Sequence, residues 1–495
     1  MSSNKFLAFD FGAESSRAVA GTLLKDKLVL KEIYRFTTGM LPLGGHLYWN
    51  IYRFYEEIIK ALTICSREAN VSPRSIAIDT WGVDFGMLAA DGTIIRIPYA
   101  YRDPQVVEAM DDFHRIISPE KIYSLTGISM QPFNSLYHLH AMRCSNDLAL
   151  ESGQRVMFIP DLLNYLLSGV KKTEFSFATT SQLYNPFKRN WEDELLSAVG
   201  LDSSYMNDII EPGQVIGRLS DEVCRQSGLK QVDLASVCSH DTGSAIVAVP
   251  AEGADWAYIS SGTWSLMGLE LESPLVNEKT LGYNFSNEGG AGQKFRFLKN
   301  IMGMWLLQQC REQWKRSDTG CDYPKLIEEA GKAEPFRVLI NPDRNQFFSP
   351  RNMVSEIDAF CKETGQPKAD SRGAYVRAIL ESLALKYRYV LDQLQEVSGR
   401  QINTIHIIGG GTRNKMLCQF TANATGKKVV AGPAEGTAAG NILMQAMACG
   451  EVGTLDEIRA IVRNSFEFDH YAPENTGKWE TAYQNFLNLV NDDIT

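Results

Sequence analysis

Two stretches of this chain follow one pattern. Residues 5–24, "KFLAFDFGAESSRAVAGTLL", run an apolar strand into a glycine turn carrying serines and out into a second apolar strand. Residues 255–273, "DWAYISSGTWSLMGLELES", do the same. A strand must pair its backbone and bury a face, so this unit at the head of each half calls for two sheet-based domains of one plan. With 495 residues the chain is also too long for one hydrophobic core. We place the domains at 1–248 and 249–495, joined near residues 245–255.

Helical and strand patterns alternate between these landmarks, which indicates α/β layers. Trp49–Glu68 reads as a helix with Asn50 as a cap. "SIAIDTWGVDFGMLAADGTII" (75–95) is strand-like, with "ADG" closing a hairpin. Val376, Ile379, Leu380, Leu383, Tyr387, Val390, Leu391 and Leu394 form one apolar stripe at helical spacing. Asp370 or Ser371 would start that helix and Gly399 would end it. It leads into "INTIHIIGGGTRN" (402–414), a strand ending in three glycines.

Composition narrows the function classes. A net charge of −10 argues against a broad nucleic-acid surface, while leaving room for a nucleotide in a pocket of backbone amides. The nine cysteines are scattered and form no CxxC pair, so zinc and a disulfide framework are both poorly supported. No run approaches the ~18 apolar residues of a membrane span. The opening "MSSNKFLAFDFG" lacks a signal core, so a cytoplasmic location is expected.

Three strand-to-turn junctions, Asp10–Arg17, Ser260–Gly268 and Gly409–Asn414, could let backbone amides close on a phosphate. Neither GxxxxGK[ST] nor GxGxxG is present. Asp10 interrupts the apolar run "FLAFDFG", where a carboxylate needs a partner. Magnesium bridging through water to phosphate would be one; an Asx-type turn is the plain alternative. In "VCSHDTGSAIVAVP" (237–250), His240 and Asp241 stand between an apolar run and a string of small residues. From the residues alone they read as readily as a helix-capping pair as they do as chemistry.

The order of an acidic strand end, a second Ser/Thr-Gly turn and a late Gly-Gly-Gly resembles the sugar kinase, chaperone ATPase and actin superfamily. Within it, "IPDLLNYLLSG" (159–169) is similar to a marker of the FGGY carbohydrate kinases. "IAIDTWGVDFGML" (76–88), "YAYRD" (99–103), "SHDTGSAIVAVPA" (239–251), "SSGTWSLMGLE" (260–270) and "LKNIMGMWLLQ" (298–308) resemble the branch that phosphorylates L-rhamnulose at its 1-hydroxyl. The likeness runs from about residue 5 to about residue 465.

The resemblance implies an α/β chain of two ribonuclease-H-like domains of the actin-like ATPase plan, with ATP and sugar meeting in the interdomain cleft. It implies ATP with Mg2+, the metal at Asp10. Ala13, Glu14, Ser15, Ser16, Arg17 and Thr263 would contact the phosphates. Asn300, Gln308, Gly409, Gly410 and Gly411 would shape the nucleotide site. Gly82, His240, Asp241 and Thr242 would line the sugar pocket, with Asp241 as the base.

Beside these, the hairpin "DTWGVDF" (79–85) would form the other half of the sugar pocket: Trp81 would offer an apolar sugar face, and Asp79 and Asp84 would offer hydroxyl acceptors, core packing being the alternative for Trp81. We place Asn300 and Gln308 on one helix. One departure stands out: "GAESSR" (12–17) replaces the expected "GASSGR", so Glu14 must point away from the phosphates or help hold the metal. The expected partners are a small sugar and ATP, without nucleic acid or membrane, in a monomer or small homo-oligomer. The alternatives are a kinase for fuculose, xylulose or a polyol, and an actin- or chaperone-type nucleotide switch.

Overall fold

The computed structural model describes residues 4–67, 72–316 and 321–491. Two compact units interleave along the chain. One comprises Met1–Pro250, Glu270–Phe297 and Gly436–Phe466; the other comprises Ala251–Leu269, Leu298–Glu435 and Glu467–Thr495.

The first unit is built on a six-stranded sheet in the order Gln214–Arg218, Asp233–Ser236, Ser75–Thr80, Lys5–Phe11, Ser15–Leu24, Lys27–Thr37. Lys5–Phe11 pairs antiparallel with Ser15–Leu24 and parallel with Ser75–Thr80, which in turn runs parallel to Asp233–Ser236. The parallel strands are short runs of Phe, Leu, Ile and Ala buried on both faces, as a sheet covered on each side requires. Register places Asp10 opposite Asp79, and a bridge places Thr80 opposite His240. The carboxyl ends of neighbouring strands therefore gather the acidic residues.

The helix Ile51–Arg67 covers one face, and Asn50 Oδ1 accepts from Arg53 N at 3.2 Å. The expected last residue of that helix, Glu68, lies outside the described residues. A second helix, Gly436–Ala448, is held to the sheet by Gln445, whose amide donates to Leu7 O at 3.0 Å and accepts from Ser75 Oγ at 2.8 Å.

"DTWGVDF" does not form the expected hairpin. Ser75–Thr80 belongs to the six-stranded sheet, whereas Phe85–Leu88 pairs with Arg155–Phe158 in a separate two-stranded one. Val83, at φ 69°, turns the chain from one sheet to the other. The following "ADG" does close a turn, with Gly92 at φ 86° and a bridge between Leu88 and Ile94.

The second unit repeats the plan. Trp256–Ser261 is antiparallel to Trp264–Leu271 and parallel to Thr404–Ile408, which runs parallel to Lys428–Ala431. Each glycine turn is closed from its glycine N–H, Gly12 N donating to Ser15 O three residues on at 3.2 Å and Gly262 N to Trp264 O two residues on at 2.8 Å. The long helix spans Arg372–Ser398, with Ser371 Oγ accepting from Ala374 N and Gly399 at φ 67° ending it. All eight stripe residues are buried. All nine cysteines are free thiols. Among the described residues no helix is long and apolar enough to cross a membrane.

Candidate active site

Asp241 is the first residue of the helix Asp241–Val247, and His240 precedes it without making a side-chain cap. The capping reading therefore fails for His240, whereas Asp241 does receive a backbone N–H of the helix's first turn. Asp241 Oδ1 accepts from Thr242 N at 2.5 Å and from Thr242 Oγ1 at 3.2 Å, while Oδ2 accepts no hydrogen bond from the described residues. The side chain is 33% exposed, so one carboxylate oxygen is oriented and the other is open to a ligand. Thr242 is itself buried, and its hydroxyl serves Asp241.

The small residues behind Asp241 allow close packing. A β-carbon on Gly243 would stand 2.9 Å from Cys238 Cβ, and one on Gly440 would collide with Ser244 O. The segment before the helix is fixed from below by buried Glu174. Its Oε2 accepts from Ser239 N at 2.9 Å and from Ser239 Oγ at 2.7 Å.

His240 lies between two environments. Its Nε2 is 3.5 Å from Asp241 Oδ1 and 3.5 Å from where a β-carbon on Gly82 would be. Its Nδ1 is 3.2 Å from Arg296 Nη2 and 3.1 Å from Glu288 Oε2. Arg296 and Glu288 form a buried ion pair at 3.0 Å. Burial would raise the Glu288 carboxyl, but the Arg296 charge and the His240 hydrogen bond outweigh it, and the net shift is downward.

Asp10 receives a forked contact from Arg17, Nε at 3.0 Å and Nη2 at 2.9 Å, both to Oδ2. Asp79 beside it is fully buried. Burial and the Asp10 charge drive its carboxyl well above the ordinary range, against the hydrogen bond from Asn441 Nδ2 to Oδ2 at 2.5 Å. Among the described residues no three His, Cys, Asp or Glu side chains form a metal cage. One carboxylate at a strand end suits magnesium that keeps its waters and arrives with phosphate oxygens, so Asp10 fits that ion.

In the 12–17 turn, Ala13 is half-buried and Glu14 and Ser15 are exposed. Ser16 is different. Strand alternation turns its side chain inward, where its Oγ lies 3.1 Å from Thr38 Oγ1. The Ser16 hydroxyl is therefore not a phosphate donor, contrary to the expectation.

The tryptophan and aspartate of "DTWGVDF" also turn inward. Trp81 is 7% exposed and packs on Trp49 with ring centroids 4.0 Å apart. Asp84 Oδ2 accepts from both indoles, Trp49 Nε1 at 2.6 Å and Trp81 Nε1 at 2.7 Å. Burial raises the Asp84 carboxyl to about 7, against the indole hydrogen bonds that lower it. Trp81 is thus core, and Asp84 braces it from a position 1% exposed. Gly82 keeps its place beside His240 and Thr180. Thr180 Oγ1 accepts from Val83 N at 3.2 Å, and Ser135 Oγ donates to Val83 O, so the strained Val83 is held at both backbone groups.

In the second unit, Asn300 and Gln308 do not share a helix. Asn300 lies in the strand Phe295–Met302 and Gln308 on the helix Trp305–Trp314. Gly303 separates them, pressed so closely to Ser265 that a β-carbon would stand 2.8 Å from its backbone N. That helix begins on the glycine turn: Met304 N donates to Gly262 O and Trp305 N to Thr263 O, each at 3.1 Å. Thr263 thereby neighbours the helix of Gln308, whose buried Oε1 has no protein donor among the described residues. The three glycines differ. Gly409 needs its φ of 82°, Gly411 would collide with Ser261 Oγ if it had a β-carbon, and Gly410 is exposed with nothing within 4 Å of where a β-carbon would be.

Sequence reasoning missed Glu174, Glu288, Arg296 and Asn441. The charged residues in "NEGGAGQKFRF" (287–297), set among glycines and a strand pattern, were the available signal for two of them.

Comparison with known proteins places this geometry. The N-terminal domain model of the FGGY family of carbohydrate kinases matches residues 5–248, and its C-terminal domain model matches residues 257–449. A rhamnulokinase of Bacteroides thetaiotaomicron is 47% identical over 485 residues, covering 98% of this chain and 99% of that protein. A rhamnulokinase of Oceanobacillus iheyensis is 39% identical over 466 residues, covering 94% and 98%. The structure of a ligand-bound xylulose kinase from Lactobacillus acidophilus superposes with a TM-score of 0.83 at 14% identity, covering 99% of this chain and 98% of that one. At that identity the likeness shows the fold, the two-domain plan expected from the sequence.

Proposed function

As a member of the FGGY family of carbohydrate kinases, to which this chain belongs, the protein is a sugar kinase using ATP, and we propose that its acceptor is L-rhamnulose, phosphorylated at the 1-hydroxyl. Two curated relatives named rhamnulokinase, similar over almost their whole length, support this choice of sugar. The observation that carries the chemistry is the Asp241 carboxylate, with one oxygen held by Thr242 and the other open.

Phosphoryl transfer passes through a loose transition state, so the protein contributes mainly position and charge. An aspartate is too weak a base to ionise an alcohol beforehand. Asp241 Oδ2 would accept the hydrogen bond of the attacking hydroxyl, align its oxygen, and take the proton as the bond to phosphorus forms. His240 Nε2 and the bare Gly82 would border the sugar. Thr263, Gln308 and the exposed Gly410 would receive the nucleotide, and the Gln308 Oε1 acceptor suits an amine or hydroxyl of ATP. Magnesium, when bound, would neutralise phosphate charge, with Asp10 holding it through water.

The test is ADP release with L-rhamnulose, L-fuculose and D-xylulose at equal concentration. Turnover should be highest on L-rhamnulose. Strong turnover of D-xylulose with none of L-rhamnulose would discard the assignment.

A further inference from the structure

Glu174 is 1% exposed, yet its carboxylate meets donors from two separate segments. Oε1 accepts from Ser176 N at 2.7 Å. Oε2 accepts from Ser176 Oγ at 2.6 Å, Phe177 N at 3.1 Å, Ser239 N at 2.9 Å and Ser239 Oγ at 2.7 Å. Each oxygen thus faces a backbone N–H, which cannot turn to accept, so both oxygens serve as acceptors. Burial raises the Glu174 carboxyl above its ordinary range, and the hydrogen bonds from Ser176 and Ser239 oppose the rise. One side chain therefore ties the first turn of the helix Phe175–Thr180 to the residue two before Asp241.

The same helix reaches the sugar side at its other end. Thr180 Oγ1 accepts from Val83 N at 3.2 Å and lies 3.4 Å from where a β-carbon on Gly82 would be. Between the two ends, Ser176 Oγ accepts from His240 N at 3.3 Å. The six residues of this helix span about 9 Å. Ser239 is fixed on its other side as well, its carbonyl accepting from Thr80 N at 2.8 Å. Glu174 is held in turn by its backbone N, which donates to Asp161 Oδ1 at 3.2 Å. Asp161 lies in "IPDLLNYLLSG" (159–169), so that segment supports the base from behind, through Glu174.

We propose that Glu174 is a positioning residue for phosphoryl transfer, fixing Asp241 at a set distance from Gly82 by tying Ser239 to the helix Phe175–Thr180. The inference rests on the reading of Asp241 as base. Thr242 orients the Asp241 carboxylate only within its own helix, whereas the backbone of Ser239 and His240 decides where that helix begins. A displacement of about 1 Å at the base is enough to lose much of the rate. An amide at position 174 cannot replace the carboxylate, because its NH2 must face either Ser176 N–H or the donors gathered at the other oxygen.

Kinetics in two backgrounds test this. Glu174→Gln should lower kcat on the ketose about tenfold or more and leave KM for ATP within about twofold. Ser239→Ala keeps the backbone donor, loses the hydroxyl, and should lower kcat about threefold or more. In the Asp241→Asn background no base remains to be positioned, so each change should cost less than about twofold. General loosening would instead cost the same factor in both backgrounds.

Equal losses in the two backgrounds, or kcat of Glu174→Gln within about twofold of the wild type, overturn the proposal. If Glu174→Gln does not fold, Ser239→Ala decides by the same comparison. Asp241→Asn retaining more than about a tenth of normal turnover would defeat the base reading itself, an outcome read without any change at position 174.

Discussion

Gly440 lies against the carbonyl of Ser244 with no room for a β-carbon between them. This approach brings the helix Gly436–Ala448 onto the helix that begins with Asp241, and Asn441, next in line, reaches Asp79. Gly440→Ala should therefore cost ~1–3 kcal/mol of stability through overpacking. It should also lower kcat, because the Asp241 helix must shift. Urea unfolding and steady-state kinetics check both, and unchanged kcat would show that the helix absorbs the displacement elsewhere.

Asp241→Asn retains the shape of the side chain and removes the base. Turnover should fall by about a hundredfold or more while ATP affinity stays within about twofold. Residual turnover above about a tenth would defeat the assignment of Asp241 as base.

Asp84 predicts a pH effect on stability. Its carboxyl is raised to about 7 in the folded protein from 3.8, so the folded state holds this proton more tightly than the unfolded chain. The stabilisation is complete below about pH 4 and is lost as pH rises through about 7, up to roughly 4 kcal/mol. Asp84→Asn can still accept from both indoles and carries no charge. Relative to the wild type, the variant should gain stability between pH 5 and pH 8, measured by urea unfolding at each pH. A constant difference across that range would contradict the burial argument.

Thr180→Val removes the acceptor of Val83 N–H. Leaving that buried donor unpaired should cost ~1–3 kcal/mol. With Gly82 adjacent, KM for the ketose should rise while KM for ATP holds. A parallel rise in both would mean general loosening.

The glycines at 410 and 411 should separate by assay. Gly411→Ala meets Ser261 Oγ and should lose ~1–3 kcal/mol of stability. Gly410→Ala has open space and should melt as the wild type does, yet raise KM for ATP about tenfold. Unchanged KM would take Gly410 out of the nucleotide site.

Local pattern was enough for several elements. The strand–turn–strand units, the Arg372–Ser398 stripe and its ends, at Asp370 or Ser371 and at Gly399, were legible because periodicity and caps act between residues a few positions apart. The Asn50 cap and the "ADG" turn were legible for the same reason. Asp241 and His240 stood out as polar residues in an apolar setting, although their role needed the resemblance.

Other features depended on contacts between distant segments. Spacing puts Asn300 and Gln308 on one helix, yet Gly303 breaks the run because it meets the backbone of Ser265. "DTWGVDF" read as a hairpin, but the strands at its ends pair with Lys5–Phe11 and Arg155–Phe158, and no local rule names those partners. The turn pattern offers Ser16 as a phosphate donor, but its inward partner Thr38 lies 22 residues away on the chain. The apposition of Arg296 and Glu288 to His240, and of Asn441 to Asp79, leaves no periodic trace in the chain. Order and periodicity thus determined the elements and the family plan, whereas long-range packing decided which polar atoms face a ligand and which support them.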